Sequence, residues 1–171
     1  MSEAILTFKE GTRGIKAIKE MITSVIIPEG VTFIEMDAFS SCTALAEVTI
    51  PEGVTFIGMC AFAGCSSLTE IAIPDSVTYI GQCAFDRCSS LKEIVIPNNV
   101  TTIGYFAFKD CSALTSITIP NSVGVIGSFA FDGCSSLKSI YIDKEKDSLD
   151  LSKLSKTRLP ETCKVYWKGE F

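Results

Sequence analysis

The segment Leu68-Thr69-Glu70-Ile71-Ala72-Ile73-Pro74-Asp75-Ser76-Val77-Thr78-Tyr79-Ile80-Gly81-Gln82-Cys83-Ala84-Phe85-Asp86-Arg87-Cys88-Ser89-Ser90 decides the fold, because it recurs without a slip on either side. Leu45, Leu68, Leu91, Leu114 and Leu137 fall 23 residues apart, as do Pro28 to Pro120 and Cys42 to Cys134. Such a period predicts a solenoid in which each coil buries its apolar face only against its neighbours. Residues 22–142 hold five full repeats and the start of a sixth.

Within one coil, Leu68, Ile71 and Ile73 form an L-x-x-I-x-I pattern that puts Ile71 and Ile73 on one face of a short strand. Pro74, lacking an N–H, ends that strand. A second extended piece carries Val77 and Ile80 inward, and Gly81 marks a bend that needs either a positive φ or a close backbone approach. Gly58, Gly104 and Gly127 repeat it, whereas the first coil has Glu35. Ala84-Phe85 recurs in every coil, which predicts an internal ladder of phenylalanine rings.

Composition narrows the function. Apolar residues make up 47% and charged residues 20% of 171 residues, as expected of a well-packed domain. No apolar run is long enough to span a membrane. The net charge of −5 argues against a nucleic-acid partner, which requires a concentrated basic face. Histidine is absent, which removes the commonest general base and every histidine-containing zinc site. Serine and threonine are plentiful, yet no acid or base is visibly paired with one, so no enzyme activity, catalytic residue, cofactor or metal is expected.

The pattern C-S-S-L-x-x-I-x-I-P-x-S-V-x-x-I-G-x-x-A-F, Cys65 through Phe85, resembles the BspA-like class of leucine-rich repeats. The resemblance covers residues 22–142. It implies a curved, right-handed, mainly β stack with a parallel sheet on its concave side. It further implies a non-enzymatic protein-binding module of the bacterial cell-surface or secreted adhesion and host-contact type. The alternative is a cytoplasmic scaffold, favoured by abundant thiols and by an N-terminus without the features of a signal peptide. Localisation therefore stays open between the two.

The ends are expected to cap the stack. Residues 1–21 form either a degenerate coil, Phe8-Lys9-Glu10-Gly11 echoing Ile27-Pro28-Glu29-Gly30, or a short helix along Ile15, Ile18 and Ile22. In residues 143–171, Leu149, Leu151, Leu154 and Leu159 are expected to cover the last coil, and Cys163–Trp167 to add a closing strand.

Candidate sites are found by asking which columns the repeat leaves free. The second extended piece carries Phe33, Phe56, Tyr79, Thr102 and Val125 at positions that face outward by strand alternation. Beside the bend come Met36, Met59, Gln82, Tyr105 and Ser128, then Asp37, Cys60, Cys83, Phe106 and Phe129. These make either a contiguous apolar patch for a protein partner, or for a second copy of the chain, or simply a run of residues that suit strand surfaces. The concave column, Ile26, Thr49, Ala72, Val95, Thr118 and Tyr141, is the other candidate surface.

Three sets of residues admit a chemical reading beside a plainer structural one. The Cys42–Cys134 column forms a line where zinc needs a tetrahedron, so a buried thiol ladder bonded to turn backbone is expected. Cys60 and Cys83 sit where other coils have Asp or Phe, and either form a disulfide or fill a half-buried site. Glu47, Glu70 and Glu93 stack as like charges, relieved by a calcium ion or by Lys92 and solvent. Leu159-Pro160-Glu161-Thr162-Cys163 departs from a sortase signal, and Asn99-Val100-Thr101 places a core residue inside a glycosylation sequon.

Overall fold

The computed structural model describes residues 19–145 and 159–170. The expectations for Phe8–Gly11, Ile15, Ile18, Leu149, Leu151 and Leu154 lie outside the described residues. Within them the chain is a parallel β-solenoid. Each coil places a first extended piece, a Pro turn, a second extended piece and a wide bend.

The first extended pieces give β1 (Ser24–Ile26), β3 (Glu47–Thr49), β7 (Ser116–Ile119) and β9 (Ser139–Ile142). The second give β2 (Phe33–Ile34), β4 (Phe56–Ile57), β5 (Tyr79–Ile80), β6 (Thr102–Ile103) and β8 (Val125–Ile126). β10 (Lys164–Trp167) pairs in parallel with β9, in the register Tyr166 to Tyr141 and Trp167 to Ile142.

One feature of the sheet departs from the sequence expectation. The continuous ladder runs through the second pieces, in the order β2-β4-β5-β6-β8. The first-piece ladder is split into β1-β3 and β10-β9-β7, because Leu68–Ile73 and Leu91–Ile96 are extended without strand pairing. Glycine explains the difference. A Cβ on Gly81 or Gly104 would sit 2.6 Å from the backbone carbonyl carbon of the glycine one coil earlier. The glycines therefore serve close approach rather than positive φ, and draw the coils together on the second face. On the first face the surviving bonds, Lys92 N to Thr69 O at 3.0 Å and Thr115 N to Lys92 O at 3.4 Å, are sparser.

Left-handed backbone falls elsewhere in the bend. Asp37, Cys60, Cys83, Phe106 and Phe129 have φ between 54° and 61°. A second column, Ser41, Gly64, Arg87, Asp110 and Gly133, spans 56° to 75°. For non-glycine residues this conformation costs about 1–3 kcal/mol each. It is held because the residues turn their N–H along the stack axis. Cys60 N–H reaches Gln82 O at 2.9 Å, and Arg87 N–H reaches Lys109 O at 2.7 Å.

The core runs the length of the stack. All five repeat leucines are fully buried, as are Phe62, Phe85, Phe108 and Phe131 beside Ala61, Ala84, Ala107 and Ala130. The rings from Phe39 to Phe131 stack with centroids 5.3–5.6 Å apart. The thiol ladder is bonded to backbone: Cys65, Cys88, Cys111 and Cys134 donate Sγ–H to the carbonyls of Phe39, Phe62, Phe85 and Phe108 at 3.1–3.2 Å. Phe62 O also accepts Cys65 N–H of its own coil, so both of its lone pairs are used.

Candidate functional site

The outer surface of the second sheet carries the largest exposed apolar side chains. In each coil the residue before the buried isoleucine points out, so parallel register places Phe33 against Phe56 and Phe56 against Tyr79. Phe33 is 53% and Phe56 40% exposed, and the Phe56 and Tyr79 rings stack at 4.6 Å with planes 1° apart. The strip continues through half-buried Thr102 to exposed Val125. Three residues further along each coil, Met36, Met59 and Tyr105 are exposed. Phe33, Phe56, Tyr79, Met36 and Met59 thus occupy adjoining positions on two neighbouring columns, and Tyr105 extends the second.

Phe106 and Phe129 behave differently. Both are half-buried and stack on each other at 5.3 Å, so much of each ring is already used inside the bend.

The first face is less continuous. Ile26 is 66% and Val95 77% exposed, but Thr49 and Ala72 separate them with small side chains, and Thr118 follows Val95. Tyr141 is half-buried and stacks on Tyr166 of β10.

A polar border flanks the strip. Thr55, Thr78 and Thr101 each donate their hydroxyl to the carbonyl of the threonine one coil before, at 3.1–3.2 Å. These hydroxyls bond within the stack, which leaves the aromatic column as the chemically distinct feature of this side.

A charged cluster in the bend was missed in reading the sequence. Lys109 pairs with Asp110, and Arg87 Nε lies 4.0 Å from Asp110 Oδ2. Asp86 is half-buried, and its Oδ1 is shielded from solvent without a hydrogen-bond partner. Burial raises its pKa, an effect that Lys109 and Arg87 partly offset. Arg87 and Asp110 line a shallow open groove with Thr43, Gly64, Ser66 and Ser89. The signal was present in the alternation Ser41, Gly64, Arg87, Asp110, Gly133, where glycine in two coils marks left-handed backbone. Met21, also strongly exposed, lay in the segment assigned to the cap.

None of these groups forms a nucleophile–base pair. The ladder thiols are held protonated: burial pushes Cys65 and Cys134 up to about 12. Cys60 is pushed to about 11, first by burial and then by Cys83 and Asp37 beside it. Glu47, Glu70 and Glu93 are all exposed, and among the described residues no three His, Cys, Asp or Glu side chains are placed to hold a metal ion. No helix among the described residues is long and apolar enough to cross a membrane.

Comparison with known proteins agrees with this geometry. A leucine-rich repeat protein of T. pallidum is 31% identical, with a TM-score of 0.68 over 85% of this chain and 73% of that one. The pneumococcal vaccine antigen PcpA is 28% identical, with a TM-score of 0.72; the match covers 85% of this chain but only 36% of PcpA. A leucine rich cell surface protein of Faecalibacterium prausnitzii is 26% identical, with a TM-score of 0.50 over 90% of this chain and 62% of that one. No curated protein matches at a significant level. The family model described as the BspA type leucine rich repeat region matches in six copies, over residues 18–138 and 57–165. Leucine-rich repeat proteins generally serve as protein-interaction modules and are typically non-enzymatic. With the period, the parallel stack and the family model in agreement, the chain belongs to the BspA-type leucine-rich repeat family.

Proposed function

We propose that this solenoid is a non-enzymatic module that binds a protein through the strip formed by Phe33, Phe56 and Tyr79 with Met36, Met59 and Tyr105. The observation that carries the reading is the register of large exposed apolar side chains across neighbouring coils. They sit on a backbone that stacking holds rigid, so little ordering entropy opposes binding. Aromatic residues and methionine are the types enriched in the buried centres of protein interfaces. The partner that fits is a protein presenting an uncharged apolar ridge.

The setting we assign is a bacterial surface or secreted protein in adhesion or host contact. The similar fold of the Faecalibacterium prausnitzii cell surface protein supports it. A cytoplasmic scaffold is the second reading, and the abundance of cysteine, eight in the chain, speaks for it. Counting free thiols in protein from its native source separates the two.

The test replaces Phe33, Phe56 and Tyr79 by serine together. Loss of partner capture with an unchanged melting curve supports the strip. Loss of self-association alone assigns it to a second copy of the chain. Unchanged capture and unchanged self-association in a folded variant overturn the proposal.

A further inference from the structure

Six of the eight cysteines have a structural place. Five belong to the buried ladder, and Cys163 packs against the core at the start of β10. Cys60 and Cys83 belong to neither group. They lie in one column, one coil apart, half exposed, in a position that Asp37, Phe106 and Phe129 fill elsewhere. Both have φ of 54°, so their Cα–Cβ bonds leave equivalent backbones. Cys60 N–H bonds Gln82 O at 2.9 Å, which fixes the two coils side by side here. In the same column the Phe106 and Phe129 rings stack with centroids 5.3 Å apart, so side chains of neighbouring coils meet here. The Cys60 and Cys83 thiols are close enough for each to shift the ionisation of the other.

We infer that Cys60 and Cys83 form a thiol–disulfide exchange site, which small disulfides convert into a bridge between two neighbouring coils at the margin of the apolar strip. This holds whatever partner the strip takes. The surroundings of the two thiols assign the roles. Burial raises the pKa of both, and at Cys60, pushed to about 11, Cys83 and Asp37 add to it. At Cys83 burial and Asp86 raise the pKa while Cys60, Gln82 and Lys109 lower it, so Cys83 is the more readily ionised of the two.

Cys83 thiolate therefore attacks one sulfur of the small disulfide. That S–S bond breaks, the first small thiol leaves with the proton Cys83 gave up, and Cys83 holds a mixed disulfide. Cys60 then loses its proton and attacks Cys83 Sγ, expelling the second small thiol. Two cysteine thiols are oxidised by two electrons, and one small disulfide is reduced to two thiols. The ladder thiols take no part, because all five are buried and four of them already donate to carbonyls.

The full chain is incubated with oxidised glutathione at about pH 8.5, where free cysteine is half ionised. It is then quenched in acid, unfolded, alkylated and mapped by mass spectrometry. Two of the eight thiols should be lost, with the Cys60 and Cys83 peptides joined. Cys60→Ser should stop at a glutathione adduct on Cys83. Cys83→Ser should acquire its adduct on Cys60 more slowly. Serine suits the backbone, since Ser41 adopts a φ of 63° in the next left-handed column, and circular dichroism verifies the fold of each variant. Eight alkylated thiols, a stable adduct on the unmutated chain, or a bridge through Cys163 would overturn the site. Faster reaction of Cys83→Ser than of Cys60→Ser would overturn the assigned roles.

Discussion

The rings of Phe85 and Phe108 lie face to face, with centroids 5.4 Å apart and planes 1° from parallel. Each ring is also stacked on its other side, by Phe62 and Phe131 respectively, so neither has room to shift into a vacancy. Phe85→Ala is therefore expected to destabilise the protein by about 3–5 kcal/mol, the range for cavities that cannot collapse. Phe39→Ala, at a half-buried position, should cost less. Urea unfolding of the two variants gives the comparison, and an unchanged midpoint for Phe85→Ala would remove the ring from the core.

Glycines of the second sheet should separate sharply from others. Gly81→Ala drives a methyl group into the Gly58 backbone and should cost about 1–3 kcal/mol. Gly124→Ala meets only Thr101 O at 3.9 Å, with no positive φ to resist it. It should be neutral or gain about 0.4–1 kcal/mol by restricting the unfolded chain. Thermal melts of both variants decide whether close approach is the reason for the glycine column.

The buried thiols set an alkaline limit. Burial raises the folded pKa of Cys65 and Cys134 to about 12, while an exposed cysteine titrates near 8.5. Above about pH 8.5 the unfolded chain has lost these protons and the folded chain keeps them. Stability is thus full below that pH and falls as pH rises toward 12, by about 1.4 kcal/mol per pH unit for each such thiol. Cys134→Ala should flatten the slope of stability against pH. A slope identical to that of the unmutated chain would contradict the buried assignment.

Asp86 is a place where less charge should help. Its Oδ1 is buried without a partner, while the same column holds Ser40 and Ala63 in other coils. Its raised pKa means that stability due to this group is lost as pH climbs through the carboxylate range. Asp86→Ala should leave stability at neutral pH unchanged or raised by up to about 1 kcal/mol. A loss beyond that would show that the Lys109 and Arg87 contacts outweigh the burial.

Much of this was legible because the chain is its own alignment. Comparing coils identifies Leu68, Val77, Ile80 and Phe85 as stack requirements, and all are fully buried. The same comparison locates Phe33, Phe56 and Met36 outside. Other features were hidden because they depend on which neighbour a group meets. Left-handed φ at Cys60 and Phe106 has no composition signal, since these residue types seldom adopt it. The gap in the first ladder depends on spacing between coils, which the glycine column sets on the opposite face and the first-piece residues themselves do not reveal. The Lys109–Asp110 pair arises where the repeat varies, so periodicity marks the column but not the pairing within it.

The glycine-to-glycine contact has a consequence for how such a chain can change length. Because Gly58, Gly81, Gly104 and Gly127 each seat against the preceding coil in the same manner, any one turn is an interchangeable rung. Excising Leu68–Ser90 as a block would join Leu91 to Ser67 and leave every column aligned. Removing one residue more or fewer would put a side chain where only bare backbone fits. The molecule can be lengthened or shortened like a ladder, in whole rungs, and its outer strip would then offer a longer or shorter handhold without redesign of the rest.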